Sequence, residues 1–348
     1  MTANDKEEVN THLTFKLGKQ PIWAGKEDNT AKSLDFIANI INENNITSLI
    51  KRGYCITKLP NDTIKYYSLF HKNIEDFFKL NNETKQKYAL LQFDAQNNSP
   101  NQCHGYSEVA SLKEQFMMRC IGYNKNNEFN DADLIFPTND QFGVNGAQIY
   151  QNLDMICRNL AKDCMKELSK DPKSVDDILD PVYKINGKIE EINDNCYSEY
   201  MPNGYVSSSI MDNFHYYKPS KQKSERFHNN HSSHTDSGLM TGVICTDLPG
   251  LEILDQQEKV WIQIEELIHE YSIKNNENHR QYCTFFWSDS VEYLNNAKSS
   301  TKNSTKLNAC FHRVANCQNE RYSVVFKQRT SPLRTHCRYQ EDYVLAKI

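Results

Sequence analysis

The sequence predicts a mostly β protein, a sandwich or jelly roll, with a helical region before it. Three observations lead there. From about residue 207, short runs of β-favouring residues recur between turn signals at near-regular spacing. Before that point, apolar residues recur at the three- and four-residue spacing of amphipathic helices. The chain has 348 residues, 38% of them hydrophobic, enough to bury a large core.

Residues 1–28 read as a loosely held tail with extended character near 13–15. Asn29 or Thr30 then supplies a cap for a helix carrying Leu34, Ile37, Ile40 and Ile41. Residues 54–56 form a short buried strand. Asn61 and Asp62 start a helix whose apolar set is Ile64, Tyr67, Phe70, Ile74, Phe77 and Phe78. The Asn- and Gln-rich stretch 92–103 breaks the pattern. A long helix over 141–168 places Ile149, Leu153, Ile156, Leu160 and Cys164 on one stripe, suited to backing a sheet. Predicted strands follow at 208–217, 239–246, 251–254, 259–264, 282–287, 311–315 and 321–327. The chain divides accordingly into a tail (1–28), a helical and mixed region (29–205), a β core (206–332) and a C-terminal extension (333–348). No internal repeat is present.

A net charge of −5 points neither to nucleic acid nor to an anionic membrane. No run of 18 apolar residues occurs and the first residues are polar, so no membrane span or secretory leader is expected and a cytoplasmic location is. The eleven cysteines are scattered singly, with no C-x-x-C pair, and are expected as reduced thiols packed as small hydrophobes.

The chemistry concentrates in His234, Asp236 and His312. In an extended segment, side chains at i and i+2 point the same way, so His234 and Asp236 can share one ion while Thr235 faces elsewhere. The third donor must come from another strand laid alongside. Two imidazoles and one carboxylate leave half of a metal's coordination sphere open, which suits a non-haem Fe(II) centre that binds oxygen and a reactant together. Arg321 and Ser323 repeat the i, i+2 spacing and put a guanidinium and a hydroxyl on one face, fit for an organic carboxylate. Arg321 interrupts an otherwise apolar strand (Tyr322, Val324, Val325, Phe326), so its burial requires a partner.

These motifs, in order, resemble a known family. His234-Thr235-Asp236-Ser237-Gly238-Leu239-Met240-Thr241, Pro249-Gly250-Leu251-Glu252, Trp261, His312-Arg313-Val314 and Arg321-Tyr322-Ser323 are similar to the isopenicillin N synthase-like branch of the Fe(II)/2-oxoglutarate-dependent dioxygenases. Phe77-Phe78-Lys79-Leu80, Glu83, Lys85, Gly105-Tyr106 and Lys113-Glu114 extend the likeness into the N-terminal half, so that roughly residues 30–330 are covered. The resemblance implies a double-stranded β-helix (jelly-roll) core with an N-terminal helical region and the metal at the barrel's open mouth. It further implies His234, Asp236 and His312 as ligands of Fe(II), with 2-oxoglutarate and O2 as co-substrates. Arg321 and Ser323 would hold the distal carboxylate of 2-oxoglutarate, joined by Tyr217. The family's Asn-Tyr-Tyr segment reads His215-Tyr216-Tyr217 here, with His215 in place of the Asn. The implied activity is oxidation, by default hydroxylation, of a small organic metabolite by a monomeric enzyme. Two alternatives remain: an oxidase of the same branch that needs no 2-oxoglutarate, and a catalytically silent binding protein on the same fold.

Other residues are read more plainly. His228 and His231 belong to a polar loop approaching the site, with His231 also a candidate for supporting a ligand or facing the substrate. Asp289, in a Trp-Ser-Asp-Ser turn where Ser288 replaces the family's Gly, is architectural. Glu114 and Phe116-Met117-Met118 either line the pocket or form an ordinary strand. The interval from His234 to His312 is 78 residues, longer than the branch leads one to expect. Its surplus is assigned to polar loops at 272–281 and 297–307.

Overall fold

The computed structural model describes residues 34–89, 91–92, 103–109, 113–119, 140–180, 208–217, 229–295, 305–315 and 319–331. The 1–28 tail, the Asn29/Thr30 cap, most of the 92–103 stretch, His228 and the 333–348 extension lie outside them.

The N-terminal part is helical, with strands inserted. Helices α1 (Leu34–Asn42) and α2 (Asn45–Arg52) lead into strand β1 (Tyr54–Lys58). Helix α2 has no counterpart among the elements assigned from the sequence. Its start is set by the Asn44 side chain, which accepts from the Ile46 and Thr47 amides. Its end is Gly53 at φ +85°, a left-handed position where an added Cβ would also strike Gln256. Helix α3 (Asn61–Phe78), the short α4 (Asn82–Gln86) and strands β2 (Leu91–Gln92), β3 (Cys103–Val109) and β4 (Lys113–Met118) follow. The long helix α5 (Asp140–Glu167) and the short α6 (Lys173–Asp176) complete this half. The apolar stripe of α3 meets α5 and the sheet through edge-on aromatic contacts, Phe70 to Phe142 and Phe77 to Phe116, each with ring centroids 5.2 Å apart.

The C-terminal half is β-rich: β5 (Ile210–Tyr216), β6 (Asn229–His234), β7 (Met240–Ile244), β8 (Leu251–Asp255), β9 (Val260–Gln263), β10 (Tyr282–Trp287), β11 (His312–Ala315) and β12 (Arg321–Gln328). Helices α7 (Ile264–Asn275) and α8 (Val291–Asn295) flank β10. Two antiparallel sheets form the jelly roll. The larger runs β1-β10-β7-β12-β5-β4-β3-β2 and the smaller β6-β11-β8-β9. Every strand predicted after residue 207 is present within a residue or two at each end.

The surplus stretch 272–281 is not a free loop. Its first half is the last turn of α7, which buries Ile264, Leu267, Ile268 and Ser272 and ends at Asn276 in the left-handed region. A 3-10 turn, His279–Gln281, then feeds β10. Of 297–307 only the end is described, and there Leu307 is buried and its amide donates to Asn295.

Two cores result. One packs α3 and α5 against the outer face of the large sheet, and the other fills the space between the sheets and under α1 and α7. Cys55, Cys157, Cys164, Cys245, Cys283 and Cys310 are free thiols buried in these cores. Among the described residues, no helix is long and apolar enough to cross a membrane.

Candidate metal centre

Strands β6 and β11 are neighbours in the small sheet, and their register sets His312 directly opposite His234. Residues so opposed share a face. Strand β6 ends at His234, so Asp236 lies just beyond it in the connection to β7, not within an extended run as the sequence reading supposed. The side chains still converge. Asp236 Oδ1 lies 3.6 Å from His234 Nε2, and Asp236 Oδ2 lies 3.5 Å from His312 Nε2. One ligand atom from each residue falls within 4.8 Å of the others.

The turn carrying Asp236 is built tightly. Gly238 has φ +137°, and any Cβ there would meet the backbone of Gln328. The Leu239 amide donates to the Gln328 carbonyl at 2.6 Å, the Ser290 amide to Gly238 at 2.6 Å and the Asp289 amide to the Asp236 carbonyl at 3.0 Å. The architectural part read for Asp289 thus has a concrete form: its backbone holds the Asp236 turn. Thr241 donates its hydroxyl to Asp236 Oδ2 at 2.7 Å and meets Ser288 Oγ at 3.0 Å. This chain fixes which way the carboxylate faces.

The electrostatics suit a cation. Burial alone would raise the Asp236 carboxyl, but Lys327, His312 and His234 outweigh it and hold it well below the usual carboxylate range. Burial, reinforced by His234, lowers His312 to about 3, so at neutral pH it is an uncharged imidazole with a lone pair to give. Carboxylate and imidazole without thiolate form a donor set for Fe(II), Mn(II) or related ions. Donors about 2 Å from one ion on adjacent coordination positions stand about 3 Å apart, so the observed separations need only a small closing movement. The residues present fit the group.

The sequence reading missed several neighbours. Lys327 Nζ is 3.2 Å from Asp236 Oδ1 and 3.5 Å from Asp212 Oδ2. It has the same strand parity as Arg321 and Ser323, the signal that could have found it. Burial disfavours its charge, but Asp236 and Asp212 more than restore it.

Arg321 and Ser323 share one face of β12, opposite Tyr216 and Phe214 of β5. The buried guanidinium does have a partner, but an internal one. Arg321 Nη2 meets Glu265 Oε2 at 2.9 Å, with both side chains 1% exposed, and Nε donates to the Leu248 carbonyl at 3.0 Å. Glu265, in the first turn of α7, also accepts from the amides of Thr246, Gly250 and Leu251. Tyr217 is placed elsewhere: its ring stands edge-on to His215, which bonds Glu114 on the helix-facing side of the sheet. The tyrosine across from Arg321 is Tyr216, with the guanidinium 5.3 Å from its ring centroid. Glu114 does not face the metal residues either. It is buried and bonded to Lys85 at 2.5 Å, Tyr106 at 2.7 Å and His215 at 2.8 Å. His231 lies in β6 opposite Val314.

Residues 207–330 match the model of a family described as the 2OG-Fe(II) oxygenase superfamily. No curated protein matches the chain significantly. Among solved structures, a 2OG-Fe(II) oxygenase family protein from Caulobacter crescentus is similar at a TM-score of 0.54 and 18% identity, covering 86% of this chain and 82% of the other. A full-length Neurospora crassa protein in complex with alpha-KG and 5-formyluracil is similar at 0.53 and 13%, covering 88% and 84%. The rice dioxygenase for auxin oxidation is similar at 0.50 and 13%, covering 85% and 78%. At these identities the likeness establishes the fold, antiparallel sheets in a jelly roll with flanking helices.

Proposed function

We propose that the chain, whose residues 207–330 match the model of the 2OG-Fe(II) oxygenase superfamily, is an oxygenase of that kind, using Fe(II), 2-oxoglutarate and O2 and coupling decarboxylation of 2-oxoglutarate to oxidation, by default hydroxylation, of a small organic molecule. One observation carries the reading: His234, Asp236 and His312 converge with their ligand atoms within 4.8 Å. The similar Neurospora structure is a complex with alpha-KG and 5-formyluracil, which supports a small-molecule substrate. When bound, iron and 2-oxoglutarate supply the oxygen chemistry. The protein's part is to hold and orient. His234 and His312 offer imidazole nitrogens, and Asp236, aimed by Thr241, offers the anionic oxygen. Ser323 and Arg321 stand as the carboxylate contacts for 2-oxoglutarate, with Tyr216 beside them in place of Tyr217.

Purified protein supplied with Fe(II) should release succinate from 2-oxoglutarate, and His234→Ala, Asp236→Ala and His312→Ala should each abolish it. Undiminished turnover in these variants refutes the assignment. Ser323→Ala should raise the KM for 2-oxoglutarate several-fold, by the loss of one hydrogen bond to a charged group.

A second reading has one observation in its favour. Because Arg321 is already ion-paired with Glu265, its charge is partly spent before any co-substrate arrives. An oxidase that places its substrate directly on the iron and uses no 2-oxoglutarate accommodates that pairing more easily. Oxygen uptake compared with and without 2-oxoglutarate separates the two.

A further inference from the structure

The inner face of the large sheet carries a second cation that the oxidation chemistry does not employ. Lys113 opens β4 and lies opposite Tyr216, which in turn lies opposite Arg321, so the three form one row across adjacent strands. Cross-strand neighbours share a face. Phe214 and Tyr216 pack against Val314 of the small sheet, so this face looks into the space between the sheets, where His312 also sits.

Lys113 is 8% exposed. Its ammonium lies 4.4 Å from the Phe214 ring centroid and 5.5 Å from that of Tyr216. Those rings support a cation through their faces but accept no strong hydrogen bond. Among the described residues Lys113 has neither a hydrogen bond nor an ion pair, in contrast to Lys85, Lys170 and Lys327, whose ammonium groups all find oxygen acceptors. Burial lowers Lys113 to about 8, with Lys327 adding repulsion and Asp212 and Asp236 opposing both. A buried ammonium without an acceptor is costly. An anion arriving in the same space would relieve that cost and gain a charge-assisted bond.

We propose that Lys113 is a recognition residue for a carboxylate on the primary substrate, held in the space between the sheets beside the His234/Asp236/His312 centre. The proposal rests on that centre being the reaction site. The same chemistry could be met by the distal carboxylate of 2-oxoglutarate, but Lys113 stands two strands from Arg321, about 10 Å at normal strand spacing. An acid distinct from the co-substrate fits that separation better. Lys327 does not compete for this part, since Asp236 and Asp212 already take its charge.

The test is calorimetric binding of benzoate, phenylacetate and hexanoate against their primary amides, on wild-type protein with and without Mn(II) and 2-oxoglutarate. At least one carboxylate should bind about tenfold tighter than its amide, the worth of a hydrogen bond to a charged group. Lys113→Met, which keeps the aliphatic volume, should erase that preference, and Lys113→Arg should restore it. Lys113→Gln serves in the same way if the Met variant does not fold. Equal binding of acids and amides by wild type, absence of carboxylate binding throughout, or an unchanged preference in Lys113→Met overturns the proposal. So does a loss in Lys113→Met confined to 2-oxoglutarate affinity, titrated in parallel, because the seat would then belong to the co-substrate. Carboxylate binding through Lys113 without any succinate release would leave this inference standing and sink the oxygenase reading. Succinate release without the acid preference would do the reverse.

Discussion

Asp236 depends on residues that never touch the ion. The Thr241 hydroxyl bonds Oδ2 and is itself met by Ser288, so the carboxylate is aimed before a cation arrives. Removing such support typically costs a metal site 10- to 100-fold in affinity. Thr241→Val is therefore expected to weaken Fe(II) or Mn(II) binding by about tenfold or more, read by titration, while the fold stays intact by circular dichroism. Lys327 lies against the same carboxylate. Lys327→Met leaves Asp236 and Asp212 buried without their cation, which should cost about 3 kcal/mol in metal-free protein. That deficit should shrink when Mn(II) replaces the missing charge, and thermal melts with and without metal would show it. An equal loss in both states would mean that Lys327 supports only Asp212. At this scale the three donors were legible because imidazole and carboxylate are typed by their own chemistry. Lys327 was hidden inside a strand read as apolar. Tyr216 was hidden by a one-residue error of parity, which a sequence cannot fix until a strand's partners are known.

Helix α7 shows what periodicity misses. Its buried set is short, and its start is masked by a run that reads as strand, so its end passed for an inserted loop. Yet its first-turn Glu265 ties three amides of the β7–β8 connection to Arg321 of β12. Breaking a buried pair by removing one member costs about 3–5 kcal/mol, mostly from the charge left behind. Arg321→Met should lose that much in urea unfolding, and adding Glu265→Gln should recover part of it. Strict additivity of the two losses would mean the pair is not coupled. Strand β4 offers a pH-dependent counterpart in Glu114. Burial pushes its carboxyl up, but bonds from His215, Lys85 and Tyr106 prevail and hold it below its ordinary 4.5. A carboxyl whose folded value is depressed contributes stability above its unfolded value and loses it as pH falls. Wild type should accordingly lose stability as pH drops below about 4.5, more steeply than Glu114→Gln, and parallel slopes would show that this network does not titrate with folding. By contrast, α5 was read within a residue of its true ends, since 28 residues of one-sided apolar spacing leave little else to form.

Over the whole molecule, the sequence indicated a β core beginning near residue 206 after a helical region. The hydrogen bonding is more interwoven than that order suggests. Strand β4 pairs with β5 over six residues and β1 pairs with β10 over five, so the first half of the chain supplies one wing and one border of the large sheet. The pairing of β1 with β10 joins residues more than 200 positions apart, as Tyr54 with Phe286, which no local pattern reveals. The segment 206–332 produced alone is expected to be unstable and self-associating, by light scattering after size exclusion, and a well-behaved monomer would show that the N-terminal strands are dispensable.

The border strand β1 has a protective consequence of its own. Without residues 54–58, the run Tyr-Cys-Thr-Phe-Phe-Trp of β10 would offer a bare row of amides and carbonyls flanked by aromatic groups. That is a template for strand addition by any other unpaired chain. During synthesis β1 emerges long before its partner, so the seal is already made when the sticky ribbon appears. A protease-trimmed form that has lost the chain through residue 58 would be the species to watch for fibrils.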